Sequence, residues 1–160
     1  MTYANKAVFI SVVLAISLFL VTSTALALPQ GSAPLRVAKA DVAHAKASVR
    51  RAEHRLAEAR RVAAATALYS SRYGESVGRW VRAARRVGWQ WSDIPTLMLV
   101  VHTESGGDPN AFSGYYAGLL QFGPDWWSNR WNPYHGPTSL AHGQRAHDAN
   151  GWTPWPWVGR

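Results

Sequence analysis

At 160 residues the chain has room for one modest domain with appendages, not for two full domains. It has no cysteine, which excludes a disulfide scaffold and a thiol nucleophile, so stability must come from a core to which nine Trp can contribute. The formal charge of +8 is unevenly spread: residues 28–80 hold ten Lys/Arg against four Asp/Glu, whereas residues 81–160 hold six against five. The basic character belongs to the middle of the chain, and the C-terminal part is nearly neutral.

Lys6 precedes an apolar run from Ala7 to Val21, broken only by Ser11 and Ser17, and Ala25-Leu26-Ala27 is a small-x-small cleavage pattern. Residues 1–27 therefore read as an export signal, with an uncleaved anchor as the alternative, and the run is short against the ~20 apolar residues of a membrane span. The expected location is extracytoplasmic, secreted or associated with the cell wall. Pro29, Gly31, Ser32 and Pro34 mark residues 28–34 as a linker.

Residues 35–70 read as one long basic helix. Leu35, Val42, Val49, Leu56 and Ala63 recur every seventh position, and Ala38, Ala45, Ala52 and Ala59 follow three residues later in each heptad, an a/d seam of the coiled-coil kind. Outward positions carry Arg50, Arg51, Arg55, Arg60 and Arg61. Three uses stay open: self-association through residues 35–63 or packing back as a stalk, contact with an anionic wall polymer or membrane surface, and a solvated spacer. Nucleic acid is not an expected partner, because the chain reads as exported and lacks a base-reading motif.

Gly74 and Gly78 suggest a hinge between Ser70 and Gly78. Trp80 to Val87 is a short helix with Trp80, Val81, Ala84 and Val87 on one face and Gly88 as its stop. Ser92 is the expected cap of the next helix, with Asp93 and Pro95 in its first turn. That helix carries Leu97, Met98, Val100 and Val101 and ends in His102-Thr103-Glu104. Helical spacing puts Glu104 on the same face as Leu97, Val100 and Val101. Burial disfavours a charged carboxylate, so a glutamate held there can keep its proton near neutral pH and act as an acid.

After Phe122, Gly123-Pro124-Asp125 opens a helix with Trp126 and Trp127, and residues 132–137 form a loop. Thr138 should cap a last helix that runs through Ala149 and stops at Asn150-Gly151. The prolines at 154 and 156 exclude helix interior, so the Trp-rich tail is expected to strap across the domain. Trp126, Trp131 and Trp155 are candidates to stack on sugar rings, against the plainer reading that such side chains fill the core. His142 and His147 are five apart, on different helix faces, so no metal is expected, and no nucleophile elbow or phosphate loop points to a cofactor.

Glu104-Ser105-Gly106-Gly107, then Asn110-Ala111, then Gly118-Leu119-Leu120-Gln121 resembles the pattern of lysozyme-like lytic transglycosylases. Gly114-Tyr115-Tyr116 and Leu120-Gln121-Phe122 are similar to the related resuscitation-promoting factors of actinobacteria. The resemblance covers residues 76–160 and implies a small lysozyme-like helical domain within a mainly α chain. It implies Glu104 as catalytic acid and a sugar-binding set drawn from Gln121, Tyr115, Tyr116, Ser105 and Phe122, with peptidoglycan glycan strands as the substrate. The Glu104-to-Gln121 spacing is slightly shorter than in that pattern, and the late Ala-x-x-Tyr motif of the larger enzymes is missing, which leaves open which aromatic completes the site.

Ordinary glycosidases flank the scissile bond with two carboxylates. Asp93 lies about 16 Å along the helix from Glu104 at 1.5 Å per residue, Asp108 suits a turn, and neither Asp125 nor Asp148 stands out as a partner. The resemblance implies a one-carboxylate reaction at the bond between N-acetylmuramic acid and N-acetylglucosamine, ending in an anhydro sugar or, if water intervenes, in hydrolysis. Two alternatives stand beside it: a non-catalytic peptidoglycan-binding module of the same fold, and an assembly or membrane-active protein driven by the long helix.

Overall fold

The computed structural model of the chain describes residues 32–127 and 130–158; the expected export signal and most of the linker lie outside them. The described residues are mainly helical, as expected: α1 Ser32–Tyr73, α2 Glu75–Gly78, α3 Trp80–Val87, α4 Ile94–Ser105, α5 Pro124–Trp127 and α6 Gly136–Asn150. The described residues divide into two compact units, with the boundary between Val49 and Arg50.

α1 is longer at both ends than the expected 35–70, and Pro34 sits in its first turn, where a missing N–H costs no helical bond. In the first unit Val42 and Val49 are exposed at 53% and 56%. In the second unit the last turns of α1 enter the core, where Val62 and Tyr69 are buried. Glu58 accepts bonds from Arg85 Nε at 3.1 Å and Trp91 Nε1 at 3.1 Å, and Arg61 lies 4.3 Å above the Trp91 ring. The globular unit thus includes half of the long helix and begins well before Ser76.

The expected hinge is a packed corner instead. α1 ends at Tyr73, Gly74 turns the chain at φ 96°, and α2 folds back on α1. A Cβ on Gly78 would lie 2.7 Å from Thr66 O and 2.6 Å from Ser70 N, so the two helices approach this closely only because residue 78 has no side chain.

α3 has the expected bounds and ends on Gly88, left-handed at φ 112°. α4 starts at Ile94 with Asp93 at its N-cap, not Ser92, whose hydroxyl bonds Asp93 Oδ1 at 3.2 Å. Ile94, Leu97, Met98, Val100 and Val101 of α4 are buried against Val77, Val81, Trp89, Leu120 and Leu140 of the same core. Burying each such aliphatic side chain contributes about 1.5–3 kcal/mol, which makes α4 the axis of the domain. α6 begins at Gly136, two residues before the cap expected at Thr138, whose Oγ1 lies 2.6 Å from His135 Nδ1. The tail straps the domain as expected, with the Trp155 indole donating to Leu120 O at 3.2 Å.

Candidate active site

α4 carries Glu104 in its last turn, and the two glycines that follow decide where the chain goes next. Gly106 is left-handed at φ 61°, and its N–H bonds His102 O at 2.9 Å while that of Gly107 bonds Val101 O at 3.2 Å. These bonds satisfy helix-end carbonyls and reverse the chain. The loop is then pinned from α2 and α3. Ser76 Oγ donates to Gly106 O at 2.7 Å, and Gly107 O accepts from Trp80 Nε1 at 2.9 Å and Arg79 Nη2 at 3.1 Å.

Ser105 ties this end of α4 to the second motif. Its hydroxyl lies 2.8 Å from Leu119 O and 3.1 Å from Val101 O, and it accepts from Gly107 N at 3.2 Å. Residues 112–122 form a compact double reversal in which Ala117 bridges both Phe112 and Phe122. Gly118 packs under Pro133, where a Cβ would sit 2.7 Å from the Pro133 carbonyl carbon. Gln121 takes φ 51°, alone among the described non-glycine residues. A left-handed L-residue costs about 1–2 kcal/mol, and here two bonds from Gln121 Nε2, to Ala111 O at 3.1 Å and Gly118 O at 3.0 Å, hold it in place. With its amide nitrogen committed, Gln121 keeps its side-chain oxygen for another donor.

The Glu104 carboxyl is half-buried, and the Trp157 indole N–H donates to its Oε1 at 2.8 Å. Burial pushes the carboxyl above the ordinary glutamate range, and the Trp157 bond, which favours the ionised form, offsets part of that. Trp157 was not among the aromatics expected at the site. The sequence signal for it was the strap itself, but which indole reaches Glu104 depends on turns such as Val158 N to Trp155 O at 3.0 Å.

The other expected sugar contacts divide by burial. Tyr115 and Tyr116 are exposed, edge to face at 5.0 Å, and pack over Gly123. Trp126 is exposed as well. Phe122 and Trp155, by contrast, are only 4% and 3% exposed, which corrects their expected role: they are core side chains that support the aromatic surface without reaching solvent. Trp131 is half-buried, stacked on His142 at 4.2 Å and set edge-on against Phe122. Ser105, with its hydroxyl engaged by backbone carbonyls, braces the two motifs and is not free to bind a sugar. Neither a family model, nor a characterised protein, nor a solved structure matches this chain.

Among the described residues no second carboxylate shares a hydrogen-bond partner with Glu104. Asp108 Oδ1 accepts from Asn110 N at 2.9 Å in the expected turn, Asp148 pairs with His147 at 3.8 Å, and Asp93 holds Ser92. Among the described residues no three His, Asp or Glu converge in a way that could hold a metal. His142 stacks on Trp131 and is kept below its usual pKa by burial and by Arg145, and His102 stacks on Tyr73 at 4.8 Å. Three surface grooves are prominent, two along α3 and one beside Trp91, and Glu104 lines none of them. What the site offers chemically is one half-buried carboxyl, raised in pKa by burial, with an indole N–H as its hydrogen-bond partner.

Proposed function

We propose that the unit formed by residues 50–160 is a lysozyme-like domain that cleaves peptidoglycan between N-acetylmuramic acid and N-acetylglucosamine. The observation that carries this reading is the Glu104 carboxyl: half-buried, raised in pKa by that burial, and held by a single N–H from Trp157. Protonated Glu104 donates to the bridging oxygen, and the bond to the muramic C1 breaks with oxocarbenium-like charge that the substrate's own acetamido group can relieve. The resulting carboxylate then takes the proton of the muramic 6-hydroxyl as that oxygen closes on C1. One group serves as acid and then base, with no second carboxylate needed. Gln121 and the exposed Tyr115, Tyr116 and Trp126 are the sugar-contacting set in this reading, and α1 carries a coiled-coil seam at its exposed heptad positions. The chain acts outside the cytoplasm, on glycan strands of the wall.

A glycan-binding module without turnover is the second reading. It draws on a specific observation: Trp157 occupies Glu104 directly, and the prominent grooves lie elsewhere. Mass analysis of material released from purified cell wall separates the two. Anhydro-muropeptides that appear with the full chain and vanish with Glu104→Gln support transglycosylation, and hydrated equivalents support hydrolysis. Binding to wall without release, unchanged by Glu104→Gln, sinks the enzymatic reading.

A further inference from the structure

Within residues 50–160, α3 forms a ridge with a groove on either side. One groove, of about 640 Å³, lies between α3 and α1, with Arg55, Arg82, Arg85 and Arg86 around a floor of Ala59 and Val62. The other, of about 430 Å³, runs from the same Arg82 and Arg86 past Arg79 and Trp80 to Pro109 and Pro137. Arg82 and Arg86 therefore line both. The only carboxylate in either lining is Glu58, and it is already engaged by Arg85 and Trp91. Arg85 also donates to Trp89 O and lies over the Trp91 ring, and Arg79 donates to Gly107 O. Among the described residues no ion pair or hydrogen bond holds the side chains of Arg55, Arg82 or Arg86.

Five guanidinium groups thus line two troughs on either side of α3, Arg79 and Arg85 already hydrogen-bonded within the protein, and the one acid, in the first trough, is neutralised by Arg85. Such clustered positive charge draws anions to the surface, and planar guanidinium groups match phosphate oxygens in pairs. The shape selects among anions. A flat charged surface would touch the α3 ridge and leave both grooves empty, whereas a flexible strand can lie in one groove and cross between Arg82 and Arg86 into the other. The apolar floors, Ala59 and Val62 in one and Trp80 and Pro109 in the other, suit a strand whose charges are separated by carbon spacers.

We propose that the α3 ridge, with its two grooves, binds a linear phosphodiester polymer and so retains the protein beside that polymer. Arg82 and Arg86, on which the site rests, make no contact with the Glu104 loop, so the proposal stands whether or not the chain cleaves glycans. The test uses the full chain and fluorescent poly(glycerol phosphate), with phosphatidylglycerol vesicles matched in phosphate content as the second arm. The polymer is expected to bind, with affinity falling steeply as salt rises. The double substitution Arg82→Gln with Arg86→Gln is expected to weaken it about tenfold or more, as loss of two charge-assisted contacts implies. Arg130→Gln with Arg145→Gln removes the same charge at two exposed residues outside both grooves and is expected to change binding less than about twofold, since only the general field is altered. Equal losses in the two variants would assign binding to net charge alone and overturn the site. No polymer binding, or tighter binding to vesicles than to polymer, would overturn it as well.

Discussion

Gly106 and Gly107 are adjacent, both left-handed, and should respond very differently to an added methyl group. At Gly106, φ 61°, a Cβ meets nothing within 4 Å, so Gly106→Ala costs only the backbone preference, about 1–2 kcal/mol. At Gly107, φ 84°, the same preference applies, but the Cβ collides with the carbonyl of Ser76 and lies 2.8 Å from Val77 N. Both neighbours are backbone and cannot rotate away. Relief requires the loop to withdraw from α2, which strains the bonds from Ser76 to Gly106 O and from Arg79 and Trp80 to Gly107 O. At about 0.5–1.5 kcal/mol for each of the three net bonds, added to the backbone preference, Gly107→Ala should cost about 2.5–6.5 kcal/mol in all. That is a large share of the roughly 5–15 kcal/mol that holds a domain together. Urea denaturation of the full-length variants at fixed pH measures both costs. In the proposed reaction, withdrawal of this loop also moves Glu104, and a misplacement of about 1 Å can cost on the order of a hundredfold in rate. Equal destabilisation by the two substitutions, or a Gly107→Ala cost below that of Gly106→Ala, would refute the packing argument.

Glu104→Gln should raise stability at neutral pH while leaving it unchanged in acid. The folded chain holds the Glu104 proton more tightly than the unfolded chain does, so the carboxyl's favourable contribution is complete below the unfolded value of about 4.3 and is lost as pH rises through the raised folded value. Melting temperatures of the two proteins across that range should converge at low pH and separate at high pH, and parallel curves would contradict the burial argument. Trp157→Phe removes the N–H that favours the ionised carboxyl while keeping an aromatic cover, so the alkaline limb of any Glu104-dependent activity should move to higher pH. A limb that stays in place or moves down would show that the bond does not tune Glu104. Gln121→Ala keeps the left-handed backbone at φ 51° and loses both side-chain bonds that support it, a cost of about 1–3 kcal/mol by denaturation, with activity reduced but not abolished. A stability equal to that of the parent would mean the loop is held elsewhere.

Local pattern was readable wherever one element decides its own fate. α3 and its Gly88 stop, the apolar face of α4 that ends at Glu104, the Asp108 turn and the existence of the strap all follow from residues close together in the chain. Element ends were less legible. α4 starts at Ile94 and α6 at Gly136, each with Pro in its first turn and no side-chain bond from its N-cap residue, so the capping side chains that sequence offers do not set the starts. The corner at Gly74 to Gly78 read as a hinge because two glycines signal freedom in sequence, while Gly78 is in fact required by the closeness of Thr66 and Ser70.

The same division runs through the candidate site. The place of Glu104 on the apolar face of α4 and the glycine turn after it could be read from spacing, because helical periodicity and turn chemistry act over a few residues, whereas Gln121 was named only through the resemblance to lytic transglycosylases. Which indole touches Glu104, which aromatics are buried and which face solvent, and how α1 and α3 gather arginines around two grooves depend on pairs 27 to 53 residues apart, such as Arg85 with Glu58 and Trp157 with Glu104. Contacts of that range are chosen by how whole elements pack, and no periodicity in the chain records them.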